Sequence, residues 1–247
     1  MIKLEICTSS LESVFAAEAG GPERIELCCA LEKGGITPPL SWAEIALQKT
    51  SLTVFILIRP RSGDFLYSEI EFLSMKRDII HFGEIGCHGV VFGILNKDGK
   101  VDIERNIELL ELAKKYNMEC TFHRAIDRTE NIFDAMEDII NIGFDRILTS
   151  GGKDKAMNAK ENLQKMIIQA NNKIIILPGG GINENNILDL ATNLDTKEFH
   201  GSFSESIESN MIYKKSDIDT IENDYSTSIS SIEKIKRTKN ILNNINR

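Results

Sequence analysis

Long apolar runs are missing from this sequence, as are the motifs that usually announce a mechanism. No hydrophobic stretch approaches the ~18 residues a membrane span needs. No basic cluster precedes the terminal segment, and the formal net charge is -8, so nothing points to nucleic acid or an anionic membrane as partner. The first residues, Met1 to Glu5, run straight into a strand-like segment without a signal-peptide pattern. The five cysteines contain no C-x-x-C spacing, so the expectation is reduced thiols in a cytoplasmic protein. A G-x-G-x-x-G fingerprint, a nucleophile elbow, a lysine at a strand end and a histidine-rich metal spacing are all lacking. Neither an internal repeat nor a linker divides the chain.

What is present is alternation. Short apolar runs lie near residues 2–7, 24–28, 53–59, 89–93, 119–124, 146–150, 174–178 and 198–202. Amphipathic stretches with end signals separate most of them. Ser10 can cap a helix that stops at Gly20-Gly21, and Asp102 opens a segment from Ile103 to Tyr116. Asn131 opens one ending at Gly143, and Asn183 one ending near Asn193. Strands alternating with helices imply parallel βαβ units, and eight of them predict an α/β fold, a single (β/α)8 barrel of TIM type. One barrel domain over residues 1–247 is therefore expected. Residues 203–228, polar and aperiodic, read as a long rim loop after strand eight. Residues 229–245, with Ile229, Ile232, Ile235, Ile241 and Ile245 at helical spacing, read as the closing helix.

Strand parity gives the strongest site signal. Glu5 and Cys7, Glu26 and Cys28, and Glu198 and His200 are pairs two residues apart within otherwise apolar runs. Residues i and i+2 face one side of a strand, so Ile6, Leu27 and Phe199 point the other way, toward helices. Buried carboxylates are costly unless paired, so a barrel interior with this composition predicts a site.

Several segments, taken in order, resemble the CutC family of copper homeostasis proteins. They are Leu4 to Cys7, Arg24-Ile25-Glu26-Leu27-Cys28, Gly34-Gly35-Ile36-Thr37-Pro38, and the run from Ile58 to Phe65. Gly89 to Gly93, Thr121-Phe122-His123-Arg124-Ala125, Asp145 to Gly151, Pro178 to Ile182 and Glu198 to Ser202 continue the likeness. The resemblance implies a cytoplasmic TIM-type barrel, often oligomeric, with a Cu(I) role for two cysteines that match Cys7 and Cys28.

The residues themselves allow two readings of one pocket. Cu(I) is soft and prefers sulfur donors. Cys7 and Cys28 should sit at one height on neighbouring strands, whose axes are about 4.8 Å apart, as the metal ligands. They read equally well as buried packing thiols; Cys87 and Cys120 read as packing residues, and Cys29 faces outward. Alternatively, the pocket serves an enzyme acting on a small anionic, possibly phosphorylated, metabolite. Glu5, Glu26, Arg59, His123, Arg124, Asp127 and His200 then supply acid, base and anion-binding groups at strand ends. Gly179, Gly180 and Gly181 before a helix, with Gly151, Gly201 and Ser202, would form an anion cradle. The expected partner is a copper ion or that metabolite, in a homo-oligomer.

Overall fold

The computed structural model describes residues 2–214 and 225–245. Eight parallel strands alternate with helices. They are β1 (Lys3–Thr8), β2 (Arg24–Leu27), β3 (Thr53–Leu57), β4 (Gly89–Phe92), β5 (Glu119–Phe122), β6 (Arg146–Thr149), β7 (Ile175–Pro178) and β8 (Glu198–Gly201). The helices are α1 (Leu11–Gly20), α2 (Leu40–Lys49), α3 (Glu69–Glu84), α4 (Ile103–Lys114), α5 (Ile132–Ile142), α6 (Lys160–Ala170), α7 (Ile187–Asn193) and α8 (Ile232–Asn243). From β1 to β7 each strand pairs with the next in sequence, and β8 pairs with β1. At the β7–β8 seam, the Thr196 hydroxyl donates to the Ile176 carbonyl. The architecture is the (β/α)8 barrel expected from the alternation.

Two layers of side chains explain why the chain folds this way. Outward residues of the strands, among them Leu4, Ile6, Ile25, Leu27, Val54, Ile56, Phe92, Phe122 and Phe199, are fully buried beneath the helices and form the main core. Removing each such side chain from water contributes roughly 1.5–3 kcal/mol. Inside the barrel a much smaller apolar cluster, Cys7, Cys28, Phe55, Leu57 and Val91, is interleaved with charge. Local signals set the helix ends. The Ser10 hydroxyl caps α1 by accepting from the Ser13 N–H at 3.1 Å. Asn131 caps α5, which stops at Gly143, whose φ of 100° a side chain would resist.

Three boundaries differ from the sequence expectation. The Asp102-capped helix ends at Lys114, not Tyr116. Helix α7 starts at Ile187, four residues after Asn183, because Asn183 and Asn186 turn their side-chain amides onto the Gly181 carbonyl instead. The stretch 203–228 is not wholly irregular: Ser204–Glu208 (β9) and Ser226–Ser230 (β10) form an antiparallel pair, and the Ser230 N–H donates to the Ser13 hydroxyl at 3.1 Å. Residues 215–224 lie outside the described residues. Ile229 belongs to β10, so α8 begins three residues later than its isoleucine spacing suggests.

Candidate metal and ligand site

Below the mouth of the barrel, charged side chains meet around the buried Arg24 and Arg146. Arg24, one pleat below Glu26, donates to Glu5 through Nε and to Glu198 through Nη2 at 2.5 Å. Arg146 reaches Glu198 at 3.2 Å and Glu119 at 2.6 Å. Both guanidinium carbons lie over the Phe55 ring, at 4.8 and 5.1 Å from its centroid. Burial alone would raise the Glu5 pKa, yet the Arg24 charge and the His200 hydrogen bond together hold it well below the usual carboxylate range. Glu5 is therefore an anion locked in place.

That anion orients the next layer. Glu5 Oε1 lies 2.7 Å from His200 Nδ1, which leaves Nε2 to face Glu26 Oε2 at 3.7 Å. Burial works against charge on His200, but the Glu5 hydrogen bond and the two carboxylates outweigh it and raise the pKa. Burial, with Glu5 nearby, raises that of Glu26, although His200 opposes the shift. The ligand atoms of Cys7, Glu26 and His200 all lie within 4.8 Å of one another, and all three residues are buried. The Cys28 sulfur is 3.8 Å from that of Cys7. Strand register pairs Cys7 with Glu26 rather than Cys28. The tilt of barrel strands separates register from height, so the sulfurs meet although their residues are one pleat apart. The Cys28 contact, burial and Glu26 push the Cys7 thiol well above its ordinary pKa. Gly35 closes over the pair: a Cβ there would stand 2.8 Å from Leu57 Cδ2 and 3.5 Å from the Cys28 sulfur.

These groups open onto a cavity of about 970 Å³ at the C-terminal mouth. Of the residues singled out from sequence, Cys7, Glu26, Cys28, Arg59, His123, Arg124, His200, Gly180, Gly181, Gly201 and Ser202 line it. Glu5 does not; it lies beneath His200 and is 1% exposed. Asp127 stands behind Arg124, accepting from the Thr149 hydroxyl at 2.6 Å and from the Ser150 and Gly152 N–H groups at 3.0 Å. Gly151 packs on Ala159 and Leu163, and Gly179 on Leu148 and His200, and neither glycine lines the cavity. No helix opens at the glycines after β7, so the expected cradle lacks its helix end.

Two expected anion-binding or acid–base groups have other work. Arg59 donates to the carbonyls of Gly35 and Gly63, each at 2.8 Å, and of Lys33 at 3.2 Å, tying two rim loops together. His123 Nδ1 accepts from the Ala125 N–H at 3.3 Å, which leaves the proton on Nε2. Burial and the Arg59 charge lower its pKa to about 3, so it stays neutral. Neither Arg24 nor Arg146 stands out as a site residue in the sequence, although each shares strand parity with a residue lining the mouth. Carrying the i+2 rule one step back from Glu26 reaches Arg24, and from Leu148 it reaches Arg146.

The geometry defines a class first: a parallel (β/α)8 barrel whose mouth gathers thiol, carboxylate and imidazole over an ionic floor. Comparison then supplies the family. A family model described as the CutC family matches residues 2–205. A CutC family protein of Bacteroides fragilis strain YCH46 is 40% identical over 241 residues, covering 95% of this chain and 94% of that protein. The human protein named copper homeostasis protein cutC homolog is 35% identical over 246 residues, covering 98% of this chain and 89% of that protein. The crystal structure of CutC from Streptococcus agalactiae superposes with a TM-score of 0.77 at 28% identity, over 82% of this chain and 99% of that one. The chain belongs to the CutC family of copper homeostasis proteins. Among the described residues, no helix is long and apolar enough to cross a membrane.

Proposed function

We propose that the chain binds Cu(I) through Cys7 and Cys28 at the floor of the mouth, as a cytoplasmic copper homeostasis protein. The observation that carries this reading is the pair of sulfurs 3.8 Å apart beside an open cavity. With metal–sulfur bonds of about 2.3 Å, that separation corresponds to an angle of about 110° at the ion. Such a bend calls for a third donor, and His200 Nε2, oriented by Glu5, is available. Soft sulfur donors favour Cu(I), and thiols stay reduced in the cytoplasm. The chain acts as a homo-oligomer in this reading: Ile70 and Leu73 on α3, and Ile103 and Ile107 on neighbouring α4, are exposed apolar residues suited to an interface. Sedimentation at one protomer mass would refute that element. Anaerobic competition against a Cu(I) chelator tests the site. The Cys7→Ser, Cys28→Ser double variant should bind at least ~100-fold more weakly while remaining folded. Equal competition by variant and wild type sinks the two-thiol site.

A second reading, an enzyme for a small anionic metabolite, draws on the size and charge of the same cavity. About 970 Å³ far exceeds what an ion fills. Lys33, Arg59, Lys97, Arg124 and Arg128 line it against Glu26 and Asp64, in a chain whose net charge is -8. Glu26, held toward its protonated form beside His200, suits proton transfer. Under this reading inorganic phosphate raises the melting temperature at constant ionic strength, and Lys33→Ala with Arg128→Ala removes the effect. No phosphate-dependent rise in the wild type counts against it.

A further inference from the structure

The donor set at the mouth is not uniformly soft. Cys7 offers sulfur, His200 nitrogen and Glu26 oxygen, all buried and mutually within 4.8 Å. Four-coordinate zinc with bonds of about 2.0–2.3 Å holds its ligands roughly 3.3–3.8 Å apart. His200 Nε2 and Glu26 Oε2, 3.7 Å apart, already have that spacing, and the Cys7 sulfur lies within 4.8 Å of a donor atom on each. Mixed sulfur, nitrogen and oxygen ligation is what borderline divalent ions accept.

A second, independent observation concerns the ring of His200. A histidine ligand usually directs its other nitrogen to a carboxylate, which fixes tautomer and orientation. Glu5 does this at 2.7 Å, and it is itself held by Arg24. Nε2 is left facing Glu26, 3.7 Å away. Charge also discriminates. A divalent ion between one thiolate and one carboxylate gives a neutral cluster. A monovalent ion between two thiolates leaves one excess negative charge beside Glu26, a costly arrangement in a buried site.

We infer that Cys7, Glu26 and His200 form a site for a zinc-type divalent cation, with Cys28 outside its ligand set and the open position turned to the cavity. This site shares Cys7 and His200 with the copper reading but does not rest on it. The two sets differ in one ligand: Cys28 recruits the soft ion and Glu26 the borderline one.

The test uses reduced full-length protein, with Zn2+ titrated against a chromophoric chelator and Cu(I) titrated separately under anaerobic conditions. Glu26→Gln should weaken Zn2+ binding at least tenfold without weakening Cu(I) binding, since it relieves the excess negative charge of the dithiolate. Cys28→Ser should do the reverse. X-ray absorption of zinc-loaded wild type should count one sulfur neighbour, which removes any dependence on how the variants fold. Two sulfurs around zinc, or unchanged zinc affinity in Glu26→Gln, overturns the inference. Unchanged Cu(I) affinity in Cys28→Ser, with one sulfur at zinc, retires the copper reading alone.

Discussion

The two walls of the cavity use similar residues in opposite ways. On the β8–β1–β2 side, the Cys7 and Cys28 sulfurs lie 3.8 Å apart and His200 Nε2 lies 3.7 Å from Glu26 Oε2, gaps that an ion could bridge. On the β5–β6 side, Arg124 and Asp127 are engaged with each other at 2.9 Å, and Asp127 accepts a further set of loop N–H groups and hydroxyls. Both walls carry ionisable residues at strand ends, where barrel chemistry is usually found. What separates them is bonding already satisfied. A carboxylate with four protein partners holds a loop, whereas one whose neighbours are a thiol and an imidazole is available to a ligand.

The ionic floor beneath the first wall offers the harshest way to break this contrast. Arg24→Met leaves Glu5 and Glu198 buried without their shared cation, and breaking a buried pair in this way costs about 3–5 kcal/mol. Urea denaturation should register a loss of that order, and the released His200 should weaken metal binding as well. A variant as stable as wild type would mean that the floor is dispensable. Acid should act on the same layer. The folded-state pKa of Glu5 is depressed, so its contribution is complete above the unfolded value of about 4.3 and declines as pH falls below it.

The second wall gives a smaller and more selective test. Asp127→Asn removes charge from the acceptor that collects Thr149, Ser150, Gly152 and Arg124. Thermal unfolding should show a loss of about 1–3 kcal/mol, the usual cost of leaving buried partners poorly satisfied. Cu(I) affinity should stay within threefold of wild type. If copper binding falls as far as in the double cysteine variant, the walls are not functionally separate.

Period and parity made much of this legible in the chain. Eight apolar runs spaced by capped helices specified the barrel, and each run contains its strand to within two residues. The i, i+2 pairing of polar residues placed Cys7, Glu26, Cys28 and His200 on the inner face. Parity could not tell which level of the barrel a residue occupies. Glu5 and His200 are register partners on adjacent strands, yet one is sealed beneath the other. Nor could it tell what a strand-end group is already bonded to. Arg59 reads as an anion fork in sequence because the carbonyls of Lys33, Gly35 and Gly63 that occupy it come from loops whose path no local pattern fixes. The glycines after β7 failed as a helix-end signal for a related reason: two asparagine amides compete for the Gly181 carbonyl and delay the helix.

The finest test of the contrast is the pH dependence of copper affinity, because the first wall must release protons to bind and the second need not. In the free protein the Cys7 thiol is held well above its ordinary pKa, by Cys28, by burial and by Glu26. The His200 pKa is also raised, since the Glu5 hydrogen bond and the two carboxylates prevail over burial. A Cu(I) ion held by two thiolates and a neutral imidazole displaces the protons its two cysteine ligands carry and a share of that on His200. Raising pH from 6 to 8 therefore strengthens binding, by about tenfold per pH unit for each proton displaced, equivalent to ~1.4 kcal/mol. Chelator competition at several pH values should yield a slope of at least one proton per ion. His200→Ala should reduce the slope as well as the affinity, whereas Asp127→Asn should leave the slope unchanged. A flat profile in the wild type would mean that copper binds groups already deprotonated, and the Cys7 thiol would not be among its ligands.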